Sequence, residues 1–517
     1  MQTLVRYVHN LSFVMVLLVM GLIGLACATQ PASPTQPASP TSTLARTPTP
    51  ITIATPTPPR TPTPITIATP TPPPTPPLIP PTPKSKPTPT EEGPIPTPAS
   101  IPTKEPPTST QARPTPTVKP TALPPVVDST TSTSYAPFPE VLQSAFSAAL
   151  NSEFRSALPR MGISAAVYQN GKLWSEAAGM ANDSTPMTTA TPIGVKSSSK
   201  TFLSALILSQ IEDGLYDLDD RVSALLKTHR GYQSSDKSLI PDATVEELLT
   251  QTSGVAELVI AGFKPFLLMM DSNWEPSDIF DLIQDPPNPP GTFKYASPNS
   301  YLLGMIAEHL GGNRLNALYQ EKLLEPLSIQ AVLLPRNEIP PGMASPYDDR
   351  SGYGGSTGFG DLTQIPVWSK VTFIKADARI SWASAGIVST PENMARWAYE
   401  LFSPKGSAVS PEVRGQLSRS FREATISLAG TPQKYGFHIA LKQHRLSDGS
   451  YVTTYGHPGG GGGYASALFY APSLDLAISI LANSDLGQLR GTCASQSEDA
   501  IPFDCITRSV FEIVLGE

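Results

Sequence analysis

The sequence predicts an α+β domain, an antiparallel sheet flanked by helices, carried at the end of a proline-rich stem. Three observations predict it. The 59 prolines of the 517 residues crowd into the first quarter, so the chain is not one uniform globular unit. After Ala136, apolar residues recur at helical spacing, as at Phe138, Val141, Leu142, Phe146, Ala149 and Leu150. Strand-like runs from Ile163 to Tyr168 and from Lys172 to Ala178 then meet at Gln169-Asn170-Gly171, where Asn-Gly favours a tight hairpin turn.

In chain order, Arg6 precedes an apolar stretch from Leu11 to Ala26 that ends in small residues, the form of an export signal over residues 1–28. A permanent membrane helix needs about 20 apolar residues, more than this stretch offers. Gly24-Leu25-Ala26-Cys27 resembles a bacterial lipoprotein box, with Gly24 where that pattern prefers an aliphatic residue. Cys27 is therefore the expected lipid anchor and the membrane an expected partner. Cleavage after Ala28 is the alternative, because Ala26-Cys27-Ala28 also has the small-x-small form. Either way the expected location is extracytoplasmic, anchored or secreted, in a bacterial cell envelope.

Residues 29–135 are rich in Pro, Thr and Ser, and Arg46 to Pro59 is repeated as Arg60 to Pro73. Proline fixes φ and withholds an amide donor, so this segment is expected to be a disordered, solvated tether reaching about 3.1 Å per residue where extended. Residues 136–517 form the folded domain, with Cys493 and Cys505 as its thiols. In an oxidising compartment they could pair; two separate buried thiols are the alternative, since spacing alone does not bring their Cα atoms within about 7 Å. A net charge of -7 without a basic cluster in the domain argues against a nucleic-acid partner. The six histidines lack HExxH or similar spacing, so neither a metal nor another cofactor is expected.

The chemistry centres on Thr191-Pro192-Ile193-Gly194-Val195-Lys196-Ser197-Ser198-Ser199-Lys200, followed by an apolar helical run from Leu203 to Ile211 and the breaker Gly214. Residues three apart share a helix face, so the Ser197 hydroxyl and the Lys200 amine can meet. A buried lysine loses basicity and can take a serine proton near neutral pH. The helix start also points amides at developing negative charge. Gly194 and Lys200-Thr201 do not make a phosphate loop, because Ser199 stands where that motif needs glycine. Ser234-Ser235-Asp236-Lys237 has the same Ser-x-x-Lys spacing but runs into Leu239-Ile240-Pro241, with no helix to orient the pair. The alternative for Ser197 is a capping serine with a surface lysine.

Further motifs make the pattern specific: Asp242 to Gly254, ending in Gln251-Thr252-Ser253-Gly254; Pro290-Gly291-Thr292-Phe293-Lys294-Tyr295-Ala296-Ser297; and Tyr455-Gly456-His457-Pro458-Gly459-Gly460 before a hairpin from Tyr464 to Leu481. With them the chain resembles the serine β-lactamase and penicillin-binding superfamily, in its class C-like esterase and peptidase branch, over nearly everything after Ala136. That family writes its nucleophile region Thr-Pro-Phe-Arg-Ile-x-Ser-x-x-Lys, which Thr191 to Lys200 fits without a gap. Histidine is usual where Gln251 stands, and asparagine is commonest where Ser297 stands; Tyr-x-Ser is closer to the branch of aminohexanoate-dimer hydrolases.

The resemblance implies a β-lactamase/transpeptidase-like fold with an inserted, mainly helical subdomain. It implies Ser197 as nucleophile, Lys200 as base and Tyr295 as proton relay, with the Ser197 and Gly460 amides as oxyanion hole. Ser297, His457 and Gly459 are the implied substrate contacts, His457 and Gly459 replacing the Lys-Thr-Gly of true penicillin targets. The implied function is an exported serine hydrolase that cleaves an ester or amide bond, D-amino-acid peptides included, through an acyl-serine. Its partner is then a small-molecule or peptide substrate, with the cell wall as surroundings. β-Lactam hydrolysis ranks lower, since neither a class A glutamate loop nor Lys-Thr-Gly is found. The alternative is a wall-associated penicillin-binding-like module with little or no turnover. Specificity is assigned to the loops between Gly254 and Pro290 and between Leu334 and Ile374, and the loop from Ser351 to Gly360 either borders the site or is flexible.

Overall fold

Both faces of the central sheet are covered by helices, and its strand sequences explain why. The computed structural model describes residues 135–156, 162–182, 184–259, 273–335, 337–346, 370–424, 434–484 and 502–516. Along Gly162–Gln169 (β2), Ile163, Ala165 and Val167 enter one apolar cluster while Ala166 and Tyr168 enter the other. Leu476–Ala482 (β13) divides likewise, with Leu476, Ile478 and Ile480 on one side and Ala477 and Leu481 on the other. Side chains alternate across a strand, so one buried on both faces reads as a continuous apolar run.

The hairpin of β2 and Lys172–Gly179 (β3) turns at Asn170 and Gly171, both at positive φ (47° and 81°), as a primed two-residue turn requires. The remaining strands of the sheet are Ala136–Pro137 (β1), Arg422–Glu423 (β7), Lys434–Tyr435 (β8), Ala440–Arg445 (β9), Tyr451–Gly456 (β10), Gly459–Gly461 (β11) and Tyr464–Ala471 (β12). Their order is β1-β3-β2-β13-β12-β10-β9-β8-β7, with β11 on β12. One pairing departs from the expected all-antiparallel sheet: β1 runs parallel to β3, making the sheet mixed at that edge. Ile193–Gly194 (β4), Ala331–Leu333 (β5) and Ile387–Ser389 (β6) form a second, small sheet in the order β4-β6-β5.

On one face of the large sheet lie Glu140–Ser156 (α1) and Pro502–Leu515 (α7), with Phe146, Leu150, Phe503 and Phe511 in the same cluster as the β2 and β13 residues. On the other face lie Lys200–Glu212 (α2) and Pro391–Phe402 (α6), where Phe202 and Trp397 stack at 4.0 Å. α2 is buried almost all round, as befits a helix at the centre of a layered domain. Between α2 and α6 the described elements are mostly helices, including Val245–Leu249 (α3), Pro298–Gly311 (α4) and Lys370–Ala385 (α5). α5 is interrupted at Trp382 by a non-helical residue.

Cys505 on α7 is disulfide-bonded. Cys493, the segments 1–28 and 29–134 with Cys27, and the loop Ser351 to Gly360 lie outside the described residues.

Candidate active site

Ser197 sits in a single 3₁₀ turn, Lys196–Ser199, that runs directly into α2. The turn is fastened on two sides. The Ser199 hydroxyl accepts the Ile387 amide of β6 at 3.0 Å, while Ser198 donates its hydroxyl to the His457 carbonyl at 2.7 Å. β11 passes so close that a Cβ at Gly459 would lie 2.8 Å from the Ser197 amide nitrogen and 2.6 Å from the Val195 carbonyl. Only glycine fits there.

Lys200 is fully buried, one helical turn beyond Ser197. Its Nζ lies 3.3 Å from Ser197 Oγ and 2.9 Å from the carbonyl oxygen of Ser384, at the end of α5. Burial lowers its pKa to about 7; the Glu257 carboxylate pulls the other way and the Lys196 ammonium adds to the lowering. Near neutrality the amine can thus keep its bond to Ser384 and offer its lone pair to the serine proton.

Tyr295 completes the group, its phenol donating to Ser197 Oγ at 3.1 Å and its ring centroid 4.9 Å from Lys200 Nζ. The loop that carries it is braced by Gln251. The Gln251 side-chain carbonyl accepts from the Ala296 amide at 2.8 Å and from Asn299 Nδ2 at 2.7 Å, and its backbone carbonyl accepts from the Lys294 amide at 2.9 Å. Its Nε2 faces His438 Nε2 at 3.1 Å. An amide offers both a donor and an acceptor at this departure from the usual histidine.

The other expected site residues are held differently. His457 is buried, its Nδ1 facing the Pro458 carbonyl and its Nε2 3.0 Å from the Tyr435 hydroxyl. A carbonyl can only accept, so Nδ1 carries the proton and Nε2 accepts from Tyr435. Burial, with the Lys200 charge second, lowers the His457 pKa to about 3, so the ring is neutral at working pH. His457 thus has an internal partner in Tyr435 and lies at the entry to the glycine turn. Ser297 gives its backbone amide to both oxygens of Glu257 at 3.0 and 3.1 Å and its hydroxyl to Oε2 at 3.2 Å. The Glu257 carboxylate is exposed and also suits the N-terminus of α4. Gly460 is exposed on β11, beside the Ser197 turn.

The second Ser-x-x-Lys is not a pair. Ser234 donates to the Gly231 carbonyl, and Lys237 turns to the Tyr232 carbonyl and ring instead. Among the described residues no three His, Cys, Asp or Glu side chains are grouped to hold a metal ion.

A buried lysine and a tyrosine converging on a serine at a helix start define a serine hydrolase of the Ser-x-x-Lys type. The family model described as Beta-lactamase matches residues 150–497, and the chain belongs to that family. Penicillin-binding protein 4 of Amycolatopsis lactamdurans is 24% identical over 335 residues, 62% of this chain and 80% of that protein. The fold is shared with D-amino acid amidase from Ochrobactrum anthropi SV3, with a TM-score of 0.57 and 18% identity over 72% of this chain and 98% of the other. It is also shared with a D-stereospecific amidohydrolase from a Streptomyces species, with a TM-score of 0.52 and 20% identity over 66% and 94% of the two chains.

Proposed function

We propose that the chain is an exported serine hydrolase that cleaves an amide or ester bond of amino-acid-derived substrates through an acyl-serine intermediate. The convergence of Lys200 Nζ and the Tyr295 phenol on Ser197 Oγ carries this reading. Lys200 takes the Ser197 proton as Oγ attacks the carbonyl carbon, and the oxyanion is met by the Ser197 and Gly460 amides; one such donor is typically worth about 10² to 10³ in rate. The intermediate collapses with cleavage of the bond to the leaving amine or alcohol, which receives the proton through Tyr295. Water, deprotonated by the same Tyr295-Lys200 pair, then attacks the acyl carbon and releases the acid and free Ser197.

Glu257 supports the choice of substrate. An exposed carboxylate near enough to Lys200 to act on its charge, and fixed by Ser297, suits the free ammonium of an amino acid amide or peptide N-terminus. D-configured substrates are the first to try, because the structural neighbours named above are a D-amino acid amidase and a D-stereospecific amidohydrolase. The neutral, Tyr435-bound His457 gives no cation for a β-lactam carboxylate, which supports ranking nitrocefin low. The signal, Cys27 and the tether would hold the domain outside the membrane, and mass spectrometry of the mature N-terminus tests the anchor.

The test is hydrolysis of D- and L-amino acid amides, D-alanyl peptides, aryl esters and nitrocefin by the wild type and Ser197→Ala. Turnover of an amide or ester that vanishes in Ser197→Ala supports the reading. Covalent labelling without turnover of any of them would assign a binding module instead. Nitrocefin as the best substrate would reverse the ranking.

A further inference from the structure

Lys196, the residue before the nucleophile, is the strongest feature that the chemistry above leaves unused. It is a non-glycine residue at φ 49°, in the left-handed region that side chains with a Cβ avoid, and it is buried. Such a conformation persists only where the surroundings hold it. Here the hold is visible: Nζ lies 2.8 Å from Asp377 Oδ2 and 3.2 Å from Ser381 Oγ, one turn apart on α5. The two side chains are 6% and 24% exposed, so the pair is shielded from solvent.

The same contact reaches the glycine turn. A Cβ at Gly462 would lie 2.4 Å from Asp377 Oδ1 and 3.1 Å from Lys196 Nζ, so the ion pair fills the space that a side chain after β11 would take. α5 therefore grips both lysines that bracket Ser197, Lys196 through Asp377 and Ser381 and Lys200 through the Ser384 carbonyl. We propose that Lys196 is a positioning residue: its ion pair with Asp377 locks the left-handed turn that aims Ser197 Oγ at Lys200 and Tyr295 and seats the β11 glycines beside it. This inference rests on Ser197 being the nucleophile.

A second consequence is electrostatic. Among the described residues, the charged and titratable groups that act on or face Lys200 are Glu257 from the loop after α3, Tyr295 from the loop before α4, Lys196 from its own segment, and the buried neutral His438 and His457. Of these, Lys196 is the cation that favours the neutral amine. Asp377 in turn faces Lys196.

The test compares Lys196→Gly, Lys196→Met, Lys196→Arg and Asp377→Asn with the wild type, reading kcat, KM and the pH profile on an aryl ester, with thermal unfolding as a check on folding. Glycine adopts φ 49° without cost, so Lys196→Gly keeps the backbone while losing the tie. Its kcat is expected to fall about tenfold to a hundredfold with KM changed far less, and Lys196→Arg to recover most of the loss. In Lys196→Met the acid limb should move to higher pH, because the lost cation lets Lys200 hold its proton more tightly. In Asp377→Asn kcat should fall without that upward move. Wild-type kcat and an unmoved limb in a folded Lys196→Gly would overturn the inference while leaving Ser197 as nucleophile. If the wild type neither turns over the ester nor loses fluorophosphonate labelling in Ser197→Ala, the nucleophile assignment falls and this inference with it.

Discussion

Lys200 Nζ lies 3.3 Å from Ser197 Oγ, in a pocket where its other partner is a carbonyl, that of Ser384. Burial is the largest cause that brings its pKa to about 7, with the Lys196 charge adding to it. A base works only when neutral. Hence kcat/KM should fall about tenfold per pH unit below pH 7. His457, held at about 3, should add no inflection between pH 5 and 8. A pH-rate profile flat from pH 8 to pH 5 would contradict this assignment of the base.

Removing either partner of the serine proton should cost rate more than binding. Lys200→Ala and Tyr295→Phe are each expected to lower kcat by about 10² to 10⁴ with smaller changes in KM. Steady-state kinetics on one aryl ester decides it. Equal losses in kcat/KM carried by KM alone would make these residues substrate contacts.

Glu257→Gln separates the proposed substrate role of that carboxylate from its bonds to Ser297 at the start of α4. KM should rise for amides bearing a free ammonium and stay nearly constant for their N-acetyl counterparts. Because Glu257 raises the Lys200 pKa, its loss should also move the acid limb to lower pH. Equal changes for free and acetylated substrates would remove Glu257 from recognition.

Gly459→Ala places a methyl 2.8 Å from the Ser197 amide nitrogen in the 3₁₀ turn and 2.5 Å from Ser466 Oγ on β12. The turn must shift, and kcat is expected to fall about a hundredfold, the scale of a displacement near 1 Å. Wild-type kcat in this variant would show that β11 has room to move.

Tyr435→Phe leaves the acceptor His457 Nε2 without its partner in a buried place. Loss of about 1 to 3 kcal/mol is expected in denaturant unfolding. An unchanged midpoint would mean that the Tyr435 bond contributes nothing to the turn.

The legible parts of this protein were local in sequence. Asn170-Gly171 announces its hairpin because two residues must both take positive φ, and Ser197 and Lys200 announce their contact because a helical turn fixes it. Tyr295 was legible only through a motif, since nothing in its neighbourhood says that it reaches a serine 98 residues away. Glu257, Tyr435 and the Lys196–Asp377 pair were missed for the same reason: each depends on tertiary placement, Asp377 being 181 residues from Lys196. A lysine directly before Ser197 was the one signal available for that pair. His457 was legible as a position, but its bond to Tyr435 was not, because Tyr435 sits on a different strand. The parallel β1 edge was unreadable, since two residues carry too little pattern to set a direction.

The central claim is an acyl-serine at Ser197, and mass spectrometry of the intact domain after brief exposure to a fluorophosphonate or an activated ester tests it most directly. One adduct per chain, located by digestion on the peptide containing Ser197 and absent from Ser197→Ala, is the expected result. No adduct with any acylating reagent, or an adduct that persists in Ser197→Ala, would contradict it.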